Sequence, residues 1–333
     1  MVDGVCVLTD QTAEIHDRDH LGTPVHPTTV GQALVERISS VVRGHDDVVT
    51  LVVAAVLAGG HVLVEDVPGS GKTTLARALA RSIGGRFARI QGASDLMPAD
   101  ITGSGVWNPG RHAFDVVPGP VFANVVLVDE LNRTPPRTQS GLLEAMAEAA
   151  VTIDGRRYDL PAPFVLVATQ NPLDQHGTYP LPEGQLDRFA VRVTLGPLTH
   201  NDERRVVREQ LVRATVDDVE PAVDLDTLLL VQHQVRQGHV HDAVLDYALS
   251  IAHATRNDPR VAIGASTRAS LSLVRLAQAR AALDGRGFVR PDDVQHAARA
   301  GLAHRLVLQR GATASADEVV HDVLGRVTVP VGS

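Results

Sequence analysis

The sequence predicts an α/β protein in which a parallel sheet is followed by an all-helical second domain. Between residues 62 and 195, short apolar runs alternate with helical patterns, as a parallel sheet with crossover helices requires. Beyond Pro197 the strand patterns stop and only helical periodicity remains. A chain of 333 residues has enough material for about two domains. We therefore place the α/β domain at residues 28–197 and the helical domain at residues 198–333.

Composition argues against several classes of protein. The net charge of -8 opposes non-specific binding to nucleic acid or to anionic lipid. A single cysteine, Cys6, excludes an internal disulfide framework and fits a reducing compartment. No secretory signal is recognisable, and the longest apolar region, residues 48–64, is interrupted by glycines and too short to predict a membrane span. We expect a cytoplasmic protein with neither a membrane span nor nucleic acid as its partner.

The first predicted elements follow a polar segment. Residues 1–27 show no sustained apolar period, and we interpret them as a mobile leader. A helix is predicted at residues 30–42, where apolar residues recur every three or four positions. Residues 44–47 then cap a second helix that runs to Leu57.

The most informative segment is residues 65–74, which follow an apolar run and open a helical pattern. It predicts a phosphate-binding loop, because glycines let the backbone curl so that N–H groups face an anion at a helix N-terminus. We expect Lys72 to reach the β- and γ-phosphates of ATP and the Thr73 hydroxyl to ligate Mg²⁺. Asp66 stands where the usual pattern begins with glycine. The predicted nucleotide contacts are Pro68, Gly69, Ser70, Gly71, Lys72, Thr73 and Thr74.

Two later strands end in polar side chains. An apolar run from residue 125 ends in Asp129 and Glu130, and carboxylates at the end of a buried strand need a cation or a water network to serve. Asp129 suits coordination of Mg²⁺, and Glu130 suits polarisation of an attacking water. A third strand, residues 164–171, ends in Asn171. This amide suits holding that water or the γ-phosphate, and a strand-end cap before Pro172 explains it equally well.

Two insertions interrupt the alternation of strands and helices. The first, residues 100–121, is rich in Gly and Pro and separates two β-like pieces. The second, residues 150–160, has Asp154 and Gly155 between alternating runs and predicts a hairpin with a two-residue turn. An insertion as long as the first is usually functional rather than idle.

The second domain is predicted from helical patterns that Gly, Pro or Asp-rich breaks separate. The predicted helices are at residues 201–214, 224–237, 241–257, 267–284, 291–310 and 316–327.

Several ordered motifs resemble the MoxR family of AAA+ ATPases. The family places a helical lid after its α/β domain, and its helix-2 insert and pre-sensor hairpin match residues 100–121 and 150–160. The resemblance therefore implies a P-loop AAA+ fold. The motifs that carry it lie at residues 119–133, 135–140, 143–146, 168–172, 177–182, 185–189 and 264–268.

The resemblance also implies roles for two arginines. Arg188, in the Leu-Asp-Arg-Phe motif, looks like an arginine finger that reaches the ATP of a neighbouring subunit; an ion pair with Asp187 or Glu183 is the structural alternative. Arg268, at the start of a lid helix, looks like sensor 2, which touches the γ-phosphate as the lid closes.

A finger supplied in trans implies a ring, since each ATP site is then incomplete without a neighbour. The family expectation is a homo-oligomer, a hexamer. Arg133 and Arg137 fit either a subunit interface or a solvated helix start.

The resemblance implies an ATP hydrolase that uses ATP and Mg²⁺ and has a chaperone-like role in remodelling or maturing a client protein, often with metal-cofactor insertion. A protein with a von Willebrand factor A domain is a further implied partner. A nucleic-acid motor is one alternative, which Arg156 and Arg157 at a hairpin tip favour and the acidic net charge opposes. An ATP-binding switch with little turnover is another, against which Glu130, Asn171 and both arginines argue.

Overall fold

The fold opens with two helices, α1 (Pro27–Ser39) and α2 (Asp46–Leu57). Pro27 is the first residue of α1, a position where the fixed φ of proline favours helix and its missing N–H costs nothing. Val25 is already buried, so the fold starts before the predicted end of the leader at residue 27. Residues 1–24 lie outside the described residues. The computed structural model describes residues 25–67, 69–110, 112–171, 177–211, 216 and 219–330.

The α/β part follows in alternating elements. They are β1 (His61–Glu65), α3 (Lys72–Ser82), β2 (Phe87–Gln91), α4 (Pro98–Thr102), β3 (Gly103–Asn108), β4 (Ala113–Pro118), β5 (Val125–Asp129), α5 (Pro136–Glu148), β6 (Ala150–Ile153), β7 (Arg156–Asp159), β8 (Val165–Gln170), α6 (Glu183–Leu186) and β9 (Phe189–Val193).

A five-stranded parallel sheet in the order β2-β5-β8-β1-β9 forms the centre of this part. Strands β1, β5 and β8 are almost wholly buried, which explains their continuous apolar runs. In a parallel sheet all carboxyl ends meet at one edge. The loop after β1, the acids after β5 and the amide after β8 are therefore brought together, as the sequence predicts.

Both predicted hairpins are present beside the sheet. β3 and β4 pair antiparallel from Gly103 opposite Pro118 to Asn108 opposite Ala113. β6 and β7 are joined by Asp154 and Gly155, whose positive φ values of 49° and 76° match a two-residue hairpin turn. The hairpins touch, because the backbone N–H of Gly105 donates to Asp154 Oδ2 at 3.2 Å.

The lid contains six helices and one short strand pair among the described residues. They are α7 (His200–Leu211), α8 (Leu225–Arg236), α9 (Asp242–Arg256), β10 (Val261–Ile263), α10 (Thr267–Leu283), α11 (Pro291–Gly301), β11 (Val307–Leu308) and α12 (Ala316–Arg326). The prediction that strands stop after Pro197 is therefore wrong for β10 and β11, which pair antiparallel.

The predicted helix at 291–310 is too long. It ends at Gly301, where a side chain would press on the carbonyl oxygen of Ala190 and on Leu276. A 3-10 turn and β11 follow. The apolar pattern continues through Leu302 and Leu306 because these residues are also buried, so periodicity alone does not reveal the break.

The two predicted domains share one core. Buried apolar residues of α1 and α2, of the sheet and of the lid helices form a continuous cluster. The boundary at residue 197 therefore divides the chain but not its hydrophobic interior. Within the described ranges, no helix combines the length and the apolar character needed to cross a bilayer.

Candidate nucleotide site

A tight loop joins β1 to α3. Gly69 and Gly71 have φ values of +85° and +96°, which only glycine adopts without strain, and no atom lies within 4 Å of a Cβ built on either residue. α3 begins at Lys72, so the positive end of its dipole faces the open space beside the loop. This is the geometry that an anion-binding loop needs. Pro68, the first predicted contact, lies outside the described residues.

The remaining predicted loop contacts separate into two groups. Lys72 Nζ donates to the carbonyl oxygens of Asp66 at 3.1 Å and Val67 at 2.7 Å, which holds the ammonium across the loop. Thr73 and Thr74 line the same cleft as Lys72. Ser70 does not line it, and its hydroxyl is buried without a hydrogen bond to any described residue.

Asp66 has a structural role in place of the usual glycine. The residue is only 5% exposed. Its Oδ1 accepts from the backbone N–H of Val67 at 2.7 Å and its Oδ2 from that of Gly196 at 2.8 Å. The carboxylate thus ties the phosphate loop to the segment that follows β9.

Asp129 ends β5 at the edge of this cleft. Its Oδ1 accepts from the Thr169 hydroxyl at 2.6 Å, and its Oδ2 pairs with Arg89 Nη2 at 2.6 Å. Thr169 and Arg89 both line the cleft. Sequence reasoning missed these two partners, because which side chains meet across neighbouring strands depends on the sheet order.

Glu130 is held in an uncommon backbone conformation, with φ of 57°. Its backbone N–H donates to Thr169 Oγ1 at 2.9 Å, and its Oε2 accepts from Gln91 Nε2 at 3.2 Å and pairs with Arg133 Nε at 3.2 Å. Gly92 packs against the same turn, where a Cβ would collide with the Glu130 carbonyl. The catalytic candidate is therefore fixed from several sides. The contact between Arg133 and Glu130 was not predicted, because the sequence suggested either a subunit interface or a solvated helix start for Arg133.

Together these residues enclose a cleft of about 380 Å³, within the range of small-molecule sites. Asn171 lies on its wall, as the sequence predicts, next to Gln170. The lining residues are Gly69, Gly71, Lys72, Thr73, Thr74, Arg89, Asp129, Glu130, Thr169, Gln170 and Asn171.

The donor atoms around Asp129 and Thr73 fit Mg²⁺. Magnesium takes oxygen ligands and is usually bound by one or two carboxylates together with substrate phosphates. The cleft contains the Asp129 carboxylate and the Thr73 hydroxyl, which are the two predicted ligands, together with further hydroxyl and carboxylate oxygens. Among the described residues, no group of three or more His, Cys, Asp or Glu is placed to hold a metal.

A second opening, which the sequence does not predict, lies near the start of the lid. It is a groove of about 850 Å³ between the turn that connects α1 to α2 and the start of the lid, lined by Arg43, Gly44, His45 and Leu195 among others. The hydrogen bond from Gly196 to Asp66 joins this region to the phosphate loop. The groove is a candidate site for the nucleotide base. The only sequence feature at this groove is the Gly-His-Asp-Asp segment at residues 44–47, which predicts the start of a helix and not a binding site.

Arg188 and Arg268 do not lie in the cleft. They share a separate cavity of about 240 Å³ with Arg275, Arg305 and Asp187. Asp187 pairs with Arg268 at 3.7 Å and with Arg305 at 3.8 Å, while Arg188 Nη1 donates to the Leu143 carbonyl at 3.1 Å. Among the described residues, Arg188 forms no ion pair with Asp187 or Glu183, which was the structural alternative for this residue.

Two arginines of this cavity, Arg188 and Arg305, have lowered pKa values. Burial lowers the pKa of Arg188, and the nearby charge of Arg268 lowers it further against the opposing effect of Asp187. Burial also lowers the pKa of Arg305 to about 10. Cations that outnumber their carboxylate partner favour the approach of an anion.

The two sites lie at opposite edges of the sheet. His61 and Gly60, at the amino end of β1, line the arginine cavity, whereas Gly69 and Lys72, just after its carboxyl end, line the cleft. Strand β1 alone spans about 13 Å. The predicted contact of Arg268 with a γ-phosphate therefore does not involve the cleft of its own chain in this arrangement.

Two protein-family models match the chain. Residues 61–191 match the ATPase family associated with various cellular activities (AAA), and residues 253–323 match the AAA lid domain. The chaperone MoxR1 of Mycobacterium tuberculosis is 39% identical over 322 residues, which cover 93% of this chain and 84% of that protein. The chain belongs to the MoxR family of AAA+ ATPases.

Two further matches cover most of the chain. The uncharacterised protein YeaC of Bacillus subtilis is 44% identical over 310 residues, covering 92% of this chain and 96% of that protein. A crystal structure from Cytophaga hutchinsonii, described as a candidate ATPase, matches with a TM-score of 0.83 at 32% identity and covers 92% of this chain and 96% of its own. The predicted P-loop AAA+ fold with a helical lid is thereby confirmed.

Proposed function

We propose that this MoxR-family protein hydrolyses ATP within a ring of identical copies and uses turnover to remodel or mature a client protein. The observation that carries the proposal is the distribution of charged groups. The phosphate loop and both acids lie at one edge of the sheet, and Arg188 and Arg268 lie at the other.

Each residue of the cleft has a role in the proposed reaction. Lys72 and the backbone of the loop bind the phosphates, and Thr73 and Asp129 would hold Mg²⁺. The ion supplies charge neutralisation at the β- and γ-phosphates when bound. Glu130 orients and polarises the attacking water, and Asn171 holds that water or the γ-phosphate in place.

The arginines act on a neighbour's nucleotide in this proposal. The arginine side chains at the amino edge of the sheet are too far from the cleft of their own chain to contact a nucleotide there. In the proposed ring, the amino edge of one copy lies against the cleft of the next copy. Arg188 then serves as the finger and Arg268 as sensor 2, both in trans. The negative charge of the γ-phosphate would offset the burial and the charge of Arg268 that lower the pKa of Arg188. A hexamer is the family expectation for this ring.

The insert hairpin favours a client-handling role. Val106, Trp107, Phe114 and Val117 are exposed on β3 and β4, and Phe114 is 65% exposed. The Trp107 and Phe114 rings pack edge to face at 5.3 Å across the hairpin. Exposed apolar clusters of this kind mark protein contact sites. A von Willebrand factor A protein and a client that acquires a metal cofactor are the partners that family membership adds.

The proposal is tested by comparing Lys72→Ala and Glu130→Gln. Lys72 is the only lysine in the sequence, so amine acylation followed by mass spectrometry reports occupancy of the loop directly. We expect Lys72→Ala to lose ATP binding by calorimetry, because the ammonium is removed. Glu130→Gln should still protect Lys72 from acylation with ATP, while phosphate release falls by about 100-fold or more.

Glu144→Gln is the matched control, because Glu144 lies on α5 and contacts Thr152 rather than the cleft. Near-normal phosphate release by Glu130→Gln would assign water activation to another residue. Wild-type protein that binds ATP and barely hydrolyses it would support the switch alternative. Hydrolysis that DNA accelerates would support the motor alternative.

A further inference from the structure

Arg89 is a charged member of the cleft to which the family motifs give no role. It lies on β2, where it is opposite Leu127 of β5, and Gln91 is opposite Asp129. Ile90 between them is buried. Side chains alternate along a strand, so Arg89 and Gln91 share the face opposite to Ile90. On that face, the two side chains contact Asp129 and Glu130.

One guanidinium nitrogen connects this pair of side chains to both acids. Arg89 Nη2 lies 2.6 Å from Asp129 Oδ2 and donates to Gln91 Oε1 at 3.1 Å. Gln91 Nε2 in turn donates to Glu130 Oε2 at 3.2 Å. The chain of contacts therefore runs from the metal-binding candidate through Arg89 and Gln91 to the water-activating candidate.

Both oxygens of Asp129 have partners in this arrangement, and a metal would have to displace one of them. Thr169 donates to Oδ1, and Arg89 places a positive charge against Oδ2. A divalent cation that approaches this carboxylate meets like charge at close range, which is unfavourable where the pair is partly buried.

We propose that Arg89 is the counter-ion of Asp129 and competes with Mg²⁺ for that carboxylate. When nucleotide binds with its metal, Arg89 leaves Asp129, and its hydrogen bond to Gln91 is released with it. Gln91 is then free to change its contact with Glu130. Arg89 is a positioning residue in this scheme. The inference rests on the proposed ATP site.

Exposure decides which partner moves. The Arg89 side chain is 48% exposed and that of Asp129 only 13%. The guanidinium can therefore turn into solvent at small cost, whereas the carboxylate stays oriented by Thr169. A partly exposed ion pair of this kind changes a competing affinity by about two- to fivefold.

The test is the Mg²⁺ dependence of ADP binding, measured by calorimetry without turnover. In Arg89→Gln the competing charge is gone, so the Mg²⁺ concentration that gives half of the gain in ADP affinity should fall about two- to fivefold. Arg89→Lys keeps the charge and should restore the wild-type value at least in part. Arg86→Gln removes the same charge three residues earlier at an exposed position outside the cleft, and should change nothing.

Two results would overturn the proposal. An unchanged Mg²⁺ dependence in Arg89→Gln, equal to that of Arg86→Gln, would mean that no competition exists. A higher Mg²⁺ requirement would mean that Arg89 supports the metal instead of opposing it. Wild-type protein that binds no ADP at any Mg²⁺ concentration would overturn the proposed ATP site and this inference together, and is thereby distinguished from the first two results.

Discussion

At the scale of single residues, Asp66 shows how a departure from a motif can be accommodated. Glycine at this position would leave the N–H groups of Val67 and Gly196 without the carboxylate that now accepts from both. The carboxylate itself is buried, so water competes little for its two oxygens. The side chain thus fastens the phosphate loop to the chain beyond β9.

Replacing Asp66 by Gly should therefore weaken the protein although it restores the usual motif. Two partly buried hydrogen bonds are lost, each worth about 0.5–1.5 kcal/mol in the free energy of unfolding. Urea denaturation measures this loss, and Asp66→Asn should fall between the two proteins because the amide keeps one acceptor. Asp95→Gly, at an exposed position, is the control. Equal or greater stability of Asp66→Gly would show that the carboxylate has no structural role.

Most residues of the cleft can be predicted from the sequence. The side chains that contact them, such as Arg89, cannot. Lys72, Asp129, Glu130 and Asn171 follow strands, and parallel strands bring their carboxyl ends together whatever their order. The contact of Arg89 with Asp129 requires that β2 lie beside β5. The pattern of residues along the sequence does not reveal which strands are neighbours in the sheet.

At the scale of elements, the seam between the lid and the sheet depends on the turn that follows α11. His304 Nε2 donates to the carbonyl oxygen of Phe189 at 2.9 Å, and Arg305 Nη2 donates to the same oxygen at 2.7 Å. Both side chains are buried. The chain leaves the helix at Gly301 and delivers these two donors to the start of β9. A periodic pattern that includes Leu302 and Leu306 predicts only a longer helix.

This seam should make stability sensitive to acid. Burial, with the charge of Arg305, lowers the pKa of His304 to about 3, so the imidazole is neutral in the fold but protonates on unfolding below about pH 6.5. Stability is then present above that pH and decreases as the pH falls toward 3. Between pH 7.5 and 5.0 this one group accounts for about 2 kcal/mol.

Urea denaturation at both pH values, on wild type and His304→Gln, measures the effect. The glutamine amide can still donate to Phe189 but does not titrate, so the variant should lose less stability on acidification. Burial also lowers the pKa of His61, which leaves a smaller pH dependence in the variant. The same loss in both proteins would assign the acid sensitivity to other groups.

At the scale of the whole molecule, the shared core determines how the two sites are related. The buried cluster runs from the sheet through α1 and α2 into the lid helices. The arginine cavity is built from both parts, since Arg188 precedes β9 and Arg268 lies on α10. A continuous core keeps these arginines together and at the edge away from the cleft. In the proposed ring, one chain would therefore contribute its cleft to one nucleotide site and its arginines to another.

The last prediction tests this arrangement by mixing variants. Arg188→Ala alone should bind ATP through its intact loop and lose most phosphate release, because an arginine finger contributes roughly 10³-fold or more in rate. Lys72→Ala alone should lose ATP binding and therefore turnover. Neither homo-oligomer should hydrolyse ATP. In a mixed assembly, an intact Arg188 from the Lys72→Ala copy can lie beside the intact loop of the Arg188→Ala copy, so mixing should restore part of the activity.

Subunit exchange must be measured in the same samples, for example by energy transfer between labelled copies. Arg299→Ala, an exposed change on α11, replaces Arg188→Ala in the control mixture and should be active before mixing. With exchange shown, absence of recovery would mean that the arginine acts within its own chain or that turnover needs every interface intact. Full activity of the Arg188→Ala homo-oligomer would exclude the finger altogether. Recovery would be expected only if the positive edge of one copy completes the cleft of the next.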